Sequence, residues 1–164
     1  MVDGRVPRES VIELYQRHAA GLTAYACSRG MDFASAQDLV QQLFLKLIEG
    51  RVVPGEAPAS YLYRAVRNAS LNFRRDRRHE TELPDEELWF THPAADRAEI
   101  LAVQQALAEL PEEQRDTVFL KIWGGLTLEE IADAVSIPLN TAASRYRYAL
   151  EKLRERLAVR SAKE

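Results

Sequence analysis

The sequence predicts an all-α protein: two small helical domains joined by a flexible acidic linker. Three observations carry that expectation. Apolar residues recur at helical intervals nearly everywhere, and no stretch alternates apolar and polar residues long enough to suggest a sheet. Between residues 79 and 98 the periodicity fades, Pro84 and Pro93 interrupt the chain, and acidic residues dominate. Further on, two helical patterns are separated by a turn of a few residues, as in a helix-turn-helix. The expected division is a first domain over 9–78, a linker over 79–97 and a second domain over 98–158.

Each element has a local reason. Residues 9–28 place Val11, Leu14, Tyr15, His18, Leu22 and Tyr25 near one face, and Gly30 ends that helix. Ser35 is the expected cap of a second helix, with Asp38 in its first turn, where a carboxylate suits the positive end of the helix dipole. This helix buries Leu39, Leu43, Phe44, Leu47 and Ile48 and stops at Gly50. Pro and Gly make 51–58 a loop. From 59 to 78, Leu62, Val66, Ala69 and Phe73 recur at intervals of four, three and four, a core stripe. After the linker, which could hold one short turn around Trp89 and Phe90, a helix runs from 98 to Leu110. Pro111 suits the first position of the next, which Gly124 and Gly125 break. Thr127 and Glu130 form a capping box, in which hydroxyl and carboxylate each satisfy an orphan amide. A short helix to Val135, a turn over 136–140 and a last helix from Thr141 to about Val159 complete the chain.

The chain has 164 residues, 46% hydrophobic and 29% charged, a composition that suits a soluble globular protein. No apolar run approaches the roughly 20 residues that span a bilayer, and the N-terminus lacks the apolar core of a signal peptide. Cys27 is the one cysteine, so no internal disulfide is expected and a reducing cytoplasm fits. The net charge of −3 conceals a split: +4 over residues 1–79, −6 over 80–99 and −1 over 100–164. The N-terminal part is therefore mildly basic and the C-terminal part nearly neutral.

In a helix-turn-helix the N-terminal part of the second helix enters the major groove, where short polar groups and arginine reach base edges and phosphates. Thr141, Ser144, Arg145 and Arg147 occupy the outer side of that helix, and Leu139, Ala142, Tyr146, Leu150, Leu153 and Leu157 its inner side. An ordinary helical hairpin with a solvated charged face has the same pattern. In the first domain, Arg64, Asn68, Asn72, Arg75 and Arg78 share one face of the 59–78 helix, and Arg67, Arg74 and Arg77 widen it. Arginines for phosphates with amides and nearby aromatics for bases suit separated strands; a basic solvated helix is the alternative. On the 35–49 helix, Leu45 falls among the outward Asp38, Gln41, Gln42 and Glu49, either as an anchor for a partner or as an ordinary exposed leucine. Catalysis is not indicated. His18, His79 and His92 lie in separate segments without metal-ligand spacing, and no phosphate-binding glycine loop or nucleophile and base pattern is present. No cofactor is expected.

As a set, these segments resemble the extracytoplasmic-function sigma factors of the sigma-70 family, over roughly residues 9–78 and 98–158. Asp38-Leu-Val-Gln-Gln-Leu-Phe-Leu-Lys-Leu47 is similar to the family helix that grips the polymerase clamp. Tyr61-Leu-Tyr-Arg-Ala-Val-Arg-Asn68 with Leu71-Asn-Phe-Arg-Arg75 resembles the helix that melts and reads the minus-ten element. Ala106-Leu-Ala-Glu-Leu-Pro-Glu-Glu-Gln-Arg115 and Gly125-Leu-Thr-Leu-Glu-Glu-Ile-Ala132 resemble the opening of region four, and Thr141-Ala-Ala-Ser-Arg145 its minus-thirty-five recognition helix. The resemblance implies core RNA polymerase and promoter DNA as partners, an anti-sigma factor as a possible third, and a free monomer in the cytoplasm without membrane insertion. It implies that Asp38, Gln41, Gln42 and Leu45 meet the polymerase. It likewise places Arg64, Arg67, Asn68, Asn72, Arg75 and Arg78 at the minus-ten region, and Thr141, Ser144, Arg145 and Arg147 at the minus-thirty-five duplex. Ala143 stands where the family usually has a basic residue, which implies one phosphate contact fewer. Two rival readings keep the same fold: a stand-alone helix-turn-helix regulator with residues 1–78 as sensor or dimerisation module, and a sigma-like interaction protein that binds no DNA.

Overall fold

A computed structural model describes residues 6–76, 87–90 and 94–163, with side chains as far as Val159. Among these residues seven α-helices follow one another: α1 (Arg8–Ser28), α2 (Phe33–Ile48), α3 (Pro58–Asp76), α4 (Arg97–Ala108), α5 (Glu112–Val118), α6 (Leu128–Ala134) and α7 (Leu139–Lys163). A five-residue π-helical turn, Phe119–Trp123, continues α5. No strand occurs among the described residues.

Helix starts show where local chemistry won and where it was misread. Thr127 and Glu130 form the expected capping box, each accepting from the other's backbone N–H at 3.1 Å. Helix α2 begins earlier than expected: Asp32, not Ser35, is its cap, and the Ser35 N–H donates to Asp32 Oδ2 at 3.1 Å. The earlier start lets Phe33 pack against the core. Pro111 is the residue before α5 rather than its first, with extended ψ of 145°. Gly30 and Gly50 have positive φ just past α1 and α2, as stops.

Helix α1 packs on α2 and α3, and α7 lies across α4, α5 and α6. Val11, His18, Leu22 and Tyr25 bury the inner face of α1; Val40, Leu43, Phe44 and Leu47 that of α2; Leu62 and Val66 that of α3. Ala142 and Ala149 of α7 are fully buried, and their small side chains allow the close approach. Three expected core residues are outside: Ile48, Leu139 and Leu157 are 51%, 43% and 36% exposed. Ile48 lies about 100° around the helix from Leu47, beyond the stripe that α1 covers. Leu139 and Leu157 sit near the ends of a 25-residue helix, about 37 Å long, which overshoots shorter partners.

The two modules share one core. Tyr25 meets both Tyr63 of α3 and Phe119, with ring centroids 5.5 Å and 5.6 Å away. Two residues of the linker complete the cluster: Phe90 stacks on Trp123 at 5.2 Å and Trp89 lies 6.4 Å from Phe119. Gln104 clasps this piece, accepting from the Trp89 N–H at 2.8 Å and donating to the Glu87 carbonyl at 2.9 Å.

Gly124 sits where that junction is tightest. A Cβ there would lie 2.7 Å from the Leu120 carbonyl oxygen, 2.8 Å from Leu126 Cδ1 and 3.2 Å from the Tyr63 ring. Gly124→Ala is expected to destabilise by about 1–3 kcal/mol, the usual range for overpacking; a urea midpoint unchanged from the parent would contradict the close packing. His18 gives a pH signature. Burial, with Arg17 adding, lowers the imidazole pKa below its ordinary 6.5. The unfolded chain then takes up the proton first, so stability is lost as pH falls through about 6.5. His18→Gln should reduce the drop in thermal midpoint between pH 7.5 and pH 5.5; an equal drop in both proteins would refute it.

Candidate nucleic-acid interface

Three helix faces carry the residues expected to bind partners. On α2, Asp38, Gln41, Gln42 and Leu45 all point outward, with the two glutamines three and four residues from both Asp38 and Leu45, and Leu45 is 52% exposed. The structure brings these four together and adds Ile48, which continues the same apolar ridge. Tyr15 of α1, partly exposed, packs edge-on against Phe44 at 5.1 Å and extends the surface sideways. Helical phase could have flagged Ile48, since 45 and 48 are one turn apart.

Helix α3 divides its basic residues in a way that spacing alone did not reveal. Asn68, Asn72 and Arg75 are exposed, with Arg75 Nε 3.7 Å from Asp76. Arg64 and Arg67 instead face the second module. Arg64 Nη2 lies 3.2 Å from Asp133 Oδ2 of α6, and Arg67 Nε 3.9 Å from Asp116 Oδ2 of α5. Arg74, which was expected to widen the basic surface, hydrogen-bonds to Glu112 of α5. Arg78 and Arg77 lie outside the described residues.

On α7, Thr141, Ser144 and Arg145 are half-buried at the corner with α6, and Arg147 is exposed, its guanidinium 5.1 Å over the Tyr148 ring. The capping box and the turn at Ser136, with φ of 57°, set the angle between α6 and α7. Ile131, fully buried, and Ile137, partly buried, fill that corner. The first turns of α7 are thereby presented as a recognition helix requires.

Arg29 was not singled out by sequence, yet it is the centre of the junction. Its side chain is 2% exposed, and Nη1 donates to Asp116 Oδ2 at 2.5 Å while Nε donates to Ser70 Oγ at 2.6 Å. Glu112 Oε1 lies 3.2 Å from the same Nη1. Burial, the largest single influence, works against the charge on Arg29, but Asp116, Tyr25 and Glu112 together outweigh it and raise the guanidinium pKa. For Asp116, burial raises the carboxyl pKa and Arg29 pulls it back. The hydrogen bond from Arg74, ahead of the opposing effect of burial, holds Glu112 below the usual carboxylate range. Arg115 ties the modules again, donating from Nη1 to the Ser28 carbonyl at 2.8 Å. Among the described residues, no cluster of His, Cys, Asp and Glu could hold a metal ion, and no helix is long and apolar enough to cross a membrane.

A helix-turn-helix module docked on a three-helix module with a basic, amide-bearing helix defines an all-helical DNA-binding protein. Comparison with known proteins narrows the class. Sigma-70 region 2 matches residues 14–80 and Sigma-70 region 4 matches residues 100–153. The chain is 31% identical to the ECF RNA polymerase sigma factor SigL of Mycobacterium tuberculosis over 171 residues, covering 93% of each chain. It is 28% identical to the ECF RNA polymerase sigma factor RpoE of Cereibacter sphaeroides, covering 89% of this chain and 85% of the relative. Two solved structures share the fold. One is the sigma factor RpoE in complex with the anti-sigma factor NepR from Bartonella quintana (TM-score 0.72, 23% identity, 93% of this chain and 99% of that one). The other is CnrH in complex with the cytosolic domain of CnrY (TM-score 0.65, 21% identity, 96% and 93%). The chain belongs to the extracytoplasmic-function (ECF) sigma factors of the sigma-70 family. The match across residues 14–80 does not favour the reading of the N-terminal part as a separate sensor or dimerisation module.

Proposed function

We propose that this ECF sigma factor joins core RNA polymerase through the outer face of α2 and directs it to promoters through α3 and α7. Leu45, with Ile48 beside it, is the apolar anchor for the polymerase clamp, ringed by Asp38, Gln41 and Gln42. Asn68, Asn72, Arg75 and Arg78, joined by Arg64 and Arg67 once these two leave Asp133 and Asp116, receive the separated minus-ten strand. Thr141, Ser144, Arg145 and Arg147 meet the minus-thirty-five duplex. The observation that carries this reading is the face of α3: amides and an arginine stand exposed on one side while Leu62 and Val66 of the other side are fully buried. Amides offer both donors and acceptors to base edges, and arginine offers charge to phosphates. The residues act by binding and orientation, as befits a family of initiation factors.

Neither module is strongly basic, and the segment between them is acidic. Tight binding therefore depends on the polymerase holding both modules at once, which raises their effective concentration at the promoter. A protein inhibitor of the anti-sigma type is an expected partner, and the free protein is expected to be monomeric and to act in the cytoplasm. Run-off transcription on a genomic fragment library, with core polymerase and with or without the chain, tests the proposal. New start sites should appear only with the chain. In the same assay Asn68→Ala with Arg75→Ala should cut the product at least about tenfold, as each lost base or phosphate contact is worth about 1–3 kcal/mol. An unaltered set of start sites would favour the sigma-like interaction protein instead.

A further inference from the structure

We infer that Leu71 of α3 selects an unpaired thymine in the promoter strand, its side chain holding the 5-methyl group of the base while a neighbouring asparagine amide takes the polar edge. The inference rests on the promoter-binding role of α3 proposed above and names the base that this face prefers. Leu71 is 45% exposed, and it is the one large apolar side chain exposed on α3. At about 100° per residue it lies roughly half a turn round the helix from the buried stripe of Leu62 and Val66, so it points away from the core. Asn68 stands three residues before it, Asn72 next to it and Arg75 four residues after it, all of them exposed. Positions spaced in this way share one face of a helix. Leu71 is therefore an apolar spot at the centre of a polar, positively charged surface, the kind of surface that suits a nucleic-acid strand.

The groups on this face divide the work of telling bases apart. Arg75 answers to phosphate, which is the same at every nucleotide. An asparagine amide carries both donor and acceptor and can turn over, so Asn68 or Asn72 alone meets the edge of thymine and that of cytosine alike. The feature that separates the two bases whichever way an amide is turned is the C5 methyl group of thymine, which stands beside O4 and is apolar. Side chains one turn apart have Cβ atoms about 5–6 Å from each other. A leucine and an amide so placed can meet the methyl group and the O4 of a single base together. An exposed leucine can also serve DNA binding as a wedge between stacked bases. A wedge needs no amide beside it, whereas the edge of a base does, and the two flanking asparagines favour the edge.

The full chain with core polymerase tests this on promoters recovered from the run-off library. Each thymine of the non-template strand in the minus-ten region is replaced in turn by deoxyuridine, which lacks only the methyl group. With the parent at limiting concentration, product should fall about fourfold at one position, the value of one buried methyl group. At that position Leu71→Ala should give equal product from thymine and from deoxyuridine, and Leu71→Met, which keeps an apolar reach, should restore the preference. Cytosine and 5-methylcytosine placed there should differ in the same sense for the parent and not for Leu71→Ala. The urea midpoint of Leu71→Ala should match the parent, because the side chain lies outside the core. Three results would overturn the inference: recovered promoters without a thymine in that region, a parent indifferent to the methyl group at every position, or an equal drop in parent and Leu71→Ala. A loss of product by Leu71→Ala from a promoter on which the parent ignores the methyl group would mark a wedge instead. No product from the parent on any template would refute the promoter role itself, whereas product without methyl dependence refutes the thymine preference alone.

Discussion

Arg29→Ala should destabilise the protein by about 3–5 kcal/mol, the cost of leaving one partner of a buried ion pair uncompensated. The side chain is 2% exposed and Asp116, its partner, 9%. Its removal strands the Asp116 carboxylate, and Asp116 Oδ1 already lacks a hydrogen-bond partner. Ser70 Oγ would lose a donor as well. For a chain of this size the loss corresponds to a fall in melting temperature on the order of 10 °C. Arg29→Met with Asp116→Leu should recover most of it, because a well-packed apolar pair avoids the desolvation of two charges. Urea unfolding of the three proteins measures both effects. A loss below about 1 kcal/mol for Arg29→Ala would mean that water reaches the pair and the junction is open in solution. If the modules separate before they unfold, the transition of the variant should also divide in two.

The second large effect is expected at Leu45, and it is on transcription rather than on stability. Leu45→Asp places a charge at the centre of the α2 face without touching the core, since Leu45 is 52% exposed while Leu43 and Leu47 on either side are buried. If Leu45 is the anchor in the clamp, its loss should cost about 2 kcal/mol or more, a decrease of roughly 30-fold in affinity for core polymerase. Run-off product at limiting sigma should fall accordingly, with the urea midpoint unchanged. Ile48→Asp should behave in the same way to a lesser degree. Normal transcription by Leu45→Asp would show that the polymerase grips another face, and that this leucine is one of the scattered exposed apolar residues of any protein surface.

Much of this was legible before any coordinate. The helix order, the capping box at Thr127 and Glu130, and the stops at Gly30 and Gly50 all follow from interactions within a few residues. The α2 face was legible too, because an outward phase over three turns is a property of the helix itself. Where two local solutions competed, sequence chose wrongly: both Asp32 and Ser35 are good caps, and packing of Phe33 decided for Asp32. Ile48 and Leu157 read as core because they are apolar and near the right phase, but burial depends on whether a neighbouring helix reaches that far.

What the chain alone determined, then, is its helices, their faces and the kinds of group each face offers, since these arise from side chains three or four residues apart. The family resemblance lies at the same level, in short runs such as Tyr61 to Asn68. The tertiary structure decided which of those groups are available. Arg64, Arg67 and Asn68 are near neighbours in sequence, yet two of them face carboxylates of the second module and one faces solvent. The partners Asp116 and Asp133 lie far along the chain from α3, and Arg29 and Asp116 are 87 residues apart. Pairings at such distances leave no period in the sequence; they exist only because the apolar faces of α1, α3 and α5 must be buried together, and the charges at their edges are carried into contact.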